Sequence, residues 1–331
     1  MGYATSGAVF GVLCLERSEG DVKRVRLENE WLRVAIEPSL GAGVAELSLK
    51  AGEWLHVMRR APEGASWFND LGSYLLIPWS NRIAGASFAW RGKLHTPLKD
   101  WKDGTAIHGK VKDKPWRVFQ RSPTMAVLRY SSSDHPGQGW PWLFVAEVSY
   151  EVRGREMRTE VEVTHVAGGA CSDAMPVGVG FHPFWNRSLR GKADDVRVRV
   201  KGLKRYPCEG MLPTGTAVET ELTRRLGEGT ALGTLAMDDV FLGSTEGAEI
   251  EWSGAGVRAR CSCSPELGHT VIYTGEPDKD GKMPGFFCLE PVSMVNDGFN
   301  LATRGWEKTG VQALAVGESV RVWWTVALES V

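Results

Sequence analysis

An all-β fold, built as a large antiparallel β-sandwich, follows from three observations on this chain of 331 residues. Apolar and polar side chains alternate with a period of two over many short stretches, the mark of strands buried on one face. No window of 12 or more residues keeps an apolar stripe of helical period with caps at its ends. The 39 glycines and 16 prolines are scattered as turn punctuation and do not collect in a linker.

The strands can be placed in order. Residues 24–27 and 32–36 open the series, followed by 125–130. In residues 157–165, Met157, Thr159, Val161 and Val163 face one way and Arg158, Glu160 and Glu162 the other, as in a half-buried antiparallel strand. Residues 145–152 form the preceding strand, and Arg153-Gly154-Arg155 closes a hairpin between the two. Further strands are read at 196–200, 248–252, 257–261, 270–273 and 320–328. The loops at 100–109, 131–139 and 275–284 are long enough to build a cleft. No internal repeat or linker divides the chain, so residues 1–331 are read as a single domain, with 1–22 an N-terminal extension or a first strand.

Composition narrows the function. Hydrophobic residues make up 43% and charged residues 24%, near the globular average, so the chain can bury a substantial core. A formal charge of -1 gives no electrostatic case for nucleic acid or an anionic membrane. No run approaches the roughly 18 apolar residues of a membrane-spanning helix. The N-terminus lacks a basic region and a clear cleavage site, and its Met1-Gly2 with Ser6 matches a myristoylation pattern only formally. Cys14, Cys171, Cys208, Cys261, Cys263 and Cys288 are irregularly spaced, which reads as reduced thiols in a cytoplasmic protein. Asn186-Arg187-Ser188 is a glycosylation sequon without meaning in that compartment.

Two segments carry candidate chemistry, Gly180-Phe181-His182-Pro183-Phe184-Trp185 and Leu289-Glu290-Pro291-Val292-Ser293. In each, an ionisable side chain directly precedes a proline, which biases it toward extended backbone. A histidine and a glutamate facing one cavity can donate and accept a proton near neutral pH.

Three further stretches complete a pattern. The first is Leu76-Ile-Pro-Trp-Ser-Asn-Arg-Ile-Ala-Gly-Ala-Ser-Phe88. Then come Ile107-His-Gly, with Trp116 eight residues beyond the histidine, and Met237-Asp-Asp-Val-Phe241. Taken in order, Asn-Arg-Ile, His-Gly, Gly-Phe-His-Pro, Asp-Asp-x-Phe and Glu-Pro-Val-Ser resemble the aldose 1-epimerase (galactose mutarotase-like) family over roughly residues 25–328.

That resemblance implies a galactose mutarotase-like supersandwich and an enzyme that interconverts the α and β anomers of a free aldohexose. Glu290 would be the general base and His182 the general acid. Arg82, His108 and Asp238 would hold the sugar, with Asn81 supporting Arg82. Strand alternation admits only one of Asp238 and Asp239 to the site, and Asp238 is the choice. Trp116 and Trp185 are expected to line the pocket, because indole faces suit the C–H faces of sugars. Acid–base ring opening needs no cofactor and no metal, so the expected partner is a small sugar, bound by a monomer or homodimer. A carboxylate beside His182 is expected to favour the imidazolium form.

Three other readings remain. Lys110, Lys112 and Lys114 could supply donors for a hexose phosphate. A sugar-sensing protein on this fold would be expected to lose the acid or the base, and this chain keeps both. A glycoside hydrolase would use two carboxylates such as Asp238 and Glu290. The chain departs from the family pattern at Trp185 and at Met294-Val-Asn-Asp297, which bears on the choice of sugar.

Overall fold

A computed structural model describes residues 24–191, 196–233 and 235–331. The N-terminal extension, with Cys14 and the Met1-Gly2 pattern, lies outside the described residues. Two large sheets dominate. The first runs, in spatial order, through Val25–Glu28, Leu32–Glu37, Gly43–Ala51, Ser73–Leu76, Gly180–Asn186, Phe286–Val292, His269–Tyr273, Asp238–Leu242 and Lys204–Arg205, with Glu53–His56 paired to Gly43–Ala51. The second runs through Arg117–Arg121, Met125–Ser131, Leu143–Arg153, Glu156–Val166, Ser319–Ser330, Val257–Cys263, Glu249–Trp252, Val196–Arg199 and Thr230–Ala231.

Neighbouring strands within both sheets pair antiparallel. The second sheet shows the period-two pattern most plainly. Glu156–Val166 alternates buried and half-buried side chains along its whole length. It pairs on one side with Leu143–Arg153 through the Arg153–Glu156 hairpin and on the other with Ser319–Ser330. Among the described residues, α-helix is confined to two short segments. Glu221–Glu228 is started by a reciprocal cap between Thr220 and Thr223, and Gly298–Thr303 follows the last strand of the site. Among the described residues, no helix is long and apolar enough to cross a membrane, and Cys171, Cys208, Cys261, Cys263 and Cys288 form no disulfide.

The first sheet is covered on both faces, and this sets up the site. Its inner face packs on the second sheet in one large core that includes Leu75, Phe181, Phe287, Leu289, Phe241 and Ile272. Its outer face carries a second apolar cluster with Tyr74, Leu76, Phe184, Cys288, Val240 and Val271, roofed by loops. Adjacent residues of a strand point to opposite faces, so each central strand contributes to both clusters.

Candidate active site

His182 and Glu290 belong to the outer face. On Gly180–Asn186, Phe181 and Trp185 fall in the core between the sheets, and Phe184 falls in the outer cluster with His182. On Phe286–Val292, Phe287 and Leu289 point inward, while Cys288 and Glu290 point outward. The two strands are neighbours, registered at Gly180↔Val292 and again at Phe184↔Cys288, a register that sets His182 across from Glu290. On the other side of the strand His182 is paired with Tyr74. Tyr74, His182 and Glu290 therefore form one row across three adjacent strands.

The row is tight. His182 Nε2 lies 3.3 Å from Glu290 Oε1. The imidazole is stacked between Tyr74 and Phe184, each with its ring centre 4.6 Å away. His108 meets it edge-on at 5.1 Å. His182 is 8% exposed and Glu290 2%. His182 Nδ1, His108 Nδ1 and Glu290 Oε2 are buried without a hydrogen-bond partner in the protein. Buried polar atoms ordinarily find partners, so three orphans in one place point to groups that a ligand satisfies.

Burial sets the electrostatics. It pushes the Glu290 carboxyl well above its usual value, with the charge of Asp238 adding to the rise and Arg82 opposing it. It pushes His182 down to about 3, with the nearby Arg59 guanidinium acting the same way. His108 is also driven well down, by burial first and then by His182, Lys112 and Arg82. The expected imidazolium is thus corrected. Removing both groups from water costs more than their mutual attraction returns, so burial disfavours the carboxylate–imidazolium ion pair in the free site.

The loops bring the remaining residues. Arg82–Ile83 pairs with Ala106–Ile107, and His108 N–H donates to Asn81 O at 2.9 Å. Asn81 and His108 both have left-handed backbone, with φ of 53° and 57°. Gly109 follows at φ 76°, and a Cβ there would lie 1.9 Å from Ile77 O, so only glycine lets the His108 turn close on the sheet. Arg82 donates through Nε to Asp103 at 2.8 Å and through an Nη to Asn81 Oδ1 at 3.1 Å. Asp297, within the stretch that departs from the family pattern, anchors this segment. Its N–H donates to Arg82 O and its carboxylate accepts from Ala84 N–H.

Alternation also separates the two aspartates. Asp238 shares its strand face with Val240 of the outer cluster, at the solvent-open rim of the site. Burial pushes its carboxyl up, with Arg82 opposing and the charges of Asp239 and Glu276 adding to the rise. Asp239 faces the other way and pairs with Arg205 at 2.7 Å.

Two expected pocket residues lie elsewhere. Trp185 is fully buried between the sheets, against Trp252 and Trp324. Its odd spacing from His182 on one strand forbids a shared face. Trp116 is buried in the same core and packs on Tyr130. The aromatic surface beside His182 comes instead from Tyr74 and Phe184, with Tyr273 and Phe286 partly open at the same cluster. The three lysines are engaged elsewhere. Lys112 Nζ is held by Asp100 at 2.8 Å and by two backbone carbonyls, Lys114 pairs with Asp113 at 3.3 Å, and Lys110 lies over Trp79. The loop at 131–139 lines a different cavity.

Donor atoms of His182, Cys288 and Glu290 lie within 4.8 Å of one another. A soft divalent cation could use such a set, but proton transfer between His182 and Glu290 needs none.

Comparison with known proteins gives a consistent picture. The family model described as aldose 1-epimerase matches residues 23–326. The uncharacterized protein YihR of Escherichia coli is 25% identical over 266 residues, 79% of this chain and 81% of that protein. A galactose mutarotase-like protein from Clostridium acetobutylicum superposes with a TM-score of 0.80 at 21% identity, covering 93% of this chain and 95% of that one. Galactose 1-epimerase from Lactobacillus acidophilus gives 0.72 at 15% identity, covering 95% and 97%. At these identities the structural matches carry the fold and no more.

Proposed function

The chain belongs to the aldose 1-epimerase family, and on that premise we propose that it is a mutarotase acting on a free aldohexose, with Glu290 as base and His182 as acid. The observation that carries this reading is the buried His182–Glu290 pair at 3.3 Å, with unpartnered polar atoms in the pair itself and on His108 beside it. The pair holds one proton between its two members. With that proton on His182, the Glu290 carboxylate takes the proton of the C1 hydroxyl while His182 protonates the ring oxygen. The bond from C1 to the ring oxygen breaks and leaves an open-chain aldehyde. Rotation about C1–C2 presents the other carbonyl face, and closure runs the two transfers backwards with the roles exchanged. Arg82, His108 and Asp238 would hold the sugar hydroxyls, and Arg82 also draws the Glu290 pKa down toward the ionised form the first step needs.

The disposition of the lysines favours a free sugar over a sugar phosphate, since Lys112 and Lys114 are paired with carboxylates and Lys110 lies over Trp79. Polarimetry on freshly dissolved α-glucose, α-galactose and glucose 6-phosphate tests the point. A free hexose is expected to equilibrate faster than in buffer alone. Acceleration of the phosphate only would turn the reading to a phosphate epimerase, and acceleration of none would turn it to a sugar-binding protein.

The pH profile is the second test. Activity requires one proton on the pair, so it falls when a second is added and when the first is lost. The second proton goes to His182, whose pKa burial has lowered to about 3. The first is lost from a group raised well above 4.5. Activity should therefore not fall between neutral pH and pH 5, after subtraction of the uncatalysed rate. An acid limb centred near the ordinary histidine value of about 6.5 would contradict this assignment.

A further inference from the structure

Lys110 is a buried base whose neighbours are already spoken for. It is 6% exposed. Two carboxylates, Asp100 and Asp113, act on its charge from a distance. Asp100, however, is bound to Lys112 at 2.8 Å and to Ile107 N–H, and Asp113 is paired with Lys114. Three lysines share two carboxylates, and among the described residues Lys110 is the one without an ion pair. What it has is the face of Trp79, with Nζ 5.2 Å from the ring centre. A cation over an indole recovers only part of the hydration lost on burial.

Lys110 lines a cavity of about 180 Å³. Tyr130, Trp140, Trp142 and Phe144 form its apolar wall, and His135 is stacked on Tyr130. No carboxylate lines it. Two of its other polar groups are engaged, Ser132 Oγ by Phe144 N–H and the Gln138 amide N–H by His135 O. The cavity thus offers a cation and flat apolar walls, without a competing anion. None of its lining residues belongs to the His182–Glu290 site.

We propose that this cavity is a second ligand site that takes a small organic carboxylate, its charge on Lys110 Nζ and its body against the aromatic wall. Burial lowers Lys110 to about 8, which leaves it charged for the most part at neutral pH. The size of the cavity and the single cation suit a monocarboxylate. The body can be a flat ring or the C–H face of a sugar acid, since both stack on indole.

The test uses the full chain, with benzoate and gluconate as separate probes and neutral benzamide as control, followed by tryptophan fluorescence and calorimetry. At least one carboxylate is expected to bind saturably. Benzamide, and the same carboxylate with Lys110→Met, should bind at least about 10-fold more weakly, the loss of one charge-assisted contact. Lys110→Gln serves as a second variant, which keeps a polar tip without the charge, should the methionine variant fail to fold. Saturable binding by neither carboxylate would overturn the site. So would equal binding of benzamide, unchanged binding by the variants, or displacement by equimolar chloride. None of these readings depends on sugar turnover, so the second site and the mutarotase reading fail separately.

Discussion

Glu290→Gln is expected to lower kcat by at least about 10²-fold, the usual scale for a lost general base. The substitution keeps the shape of the side chain, so the strand pairing of Glu290 with Val271 and its place opposite His182 survive. Only the ability to accept a proton is lost. A buried carboxyl beside the charge of Asp238 is costly to keep, so the variant should melt at the same temperature as the parent or higher. Loss of activity together with undiminished stability separates a catalytic role from a structural one. Near-normal kcat measured by polarimetry would remove Glu290 from the mechanism.

His182→Asn should cost a similar factor, with a different accompaniment. The imidazole is stacked between Tyr74 and Phe184, and each such ring pair is worth about 0.5–1.5 kcal/mol beyond simple burial. Asparagine forfeits both, so the variant is expected to melt lower as well as turn over slowly. His182→Phe restores the stack without a proton to give. It should recover stability and remain inactive. A phenylalanine variant that regained turnover would show that His182 serves packing alone.

How much of this was legible in the sequence depends on the layer. The strands of the second sheet are solvated on their outer face, and their alternation gives them away, as in Glu156–Val166. Gly43–Ala51 and Ser73–Leu76 are buried on both faces, so their apolar residues do not alternate and the pattern falls silent. Tyr74, which stacks on His182, was missed for that reason. Asp103 was missed because a loop carboxylate that holds an arginine has no periodic signature. Trp185 shows a signal that was present and unused. Its odd spacing from His182 already assigns it to the opposite face. His182 and Glu290 stood out through their place before a proline, while their roles, and the choice of Arg82 and His108, came from resemblance. What the coordinates add is the register that sets the first two face to face and the left-handed turn that brings in the fourth.

The row of Tyr74, His182 and Glu290 also bears on how such a protein can diversify. The acid and the base are fixed by the pairing of two adjacent strands in the middle of a sheet, whereas Arg82 and His108 arrive on loops and Asp238 stands at a strand end. Insertions and deletions in those loops can remodel the sugar's surroundings while the proton-transfer pair stays where it is. Loss of one residue from either strand would have the opposite effect, exchanging the faces and sending His182 or Glu290 into the core. Descendants of this chain are therefore free to change what they act upon long before they can change what they do to it.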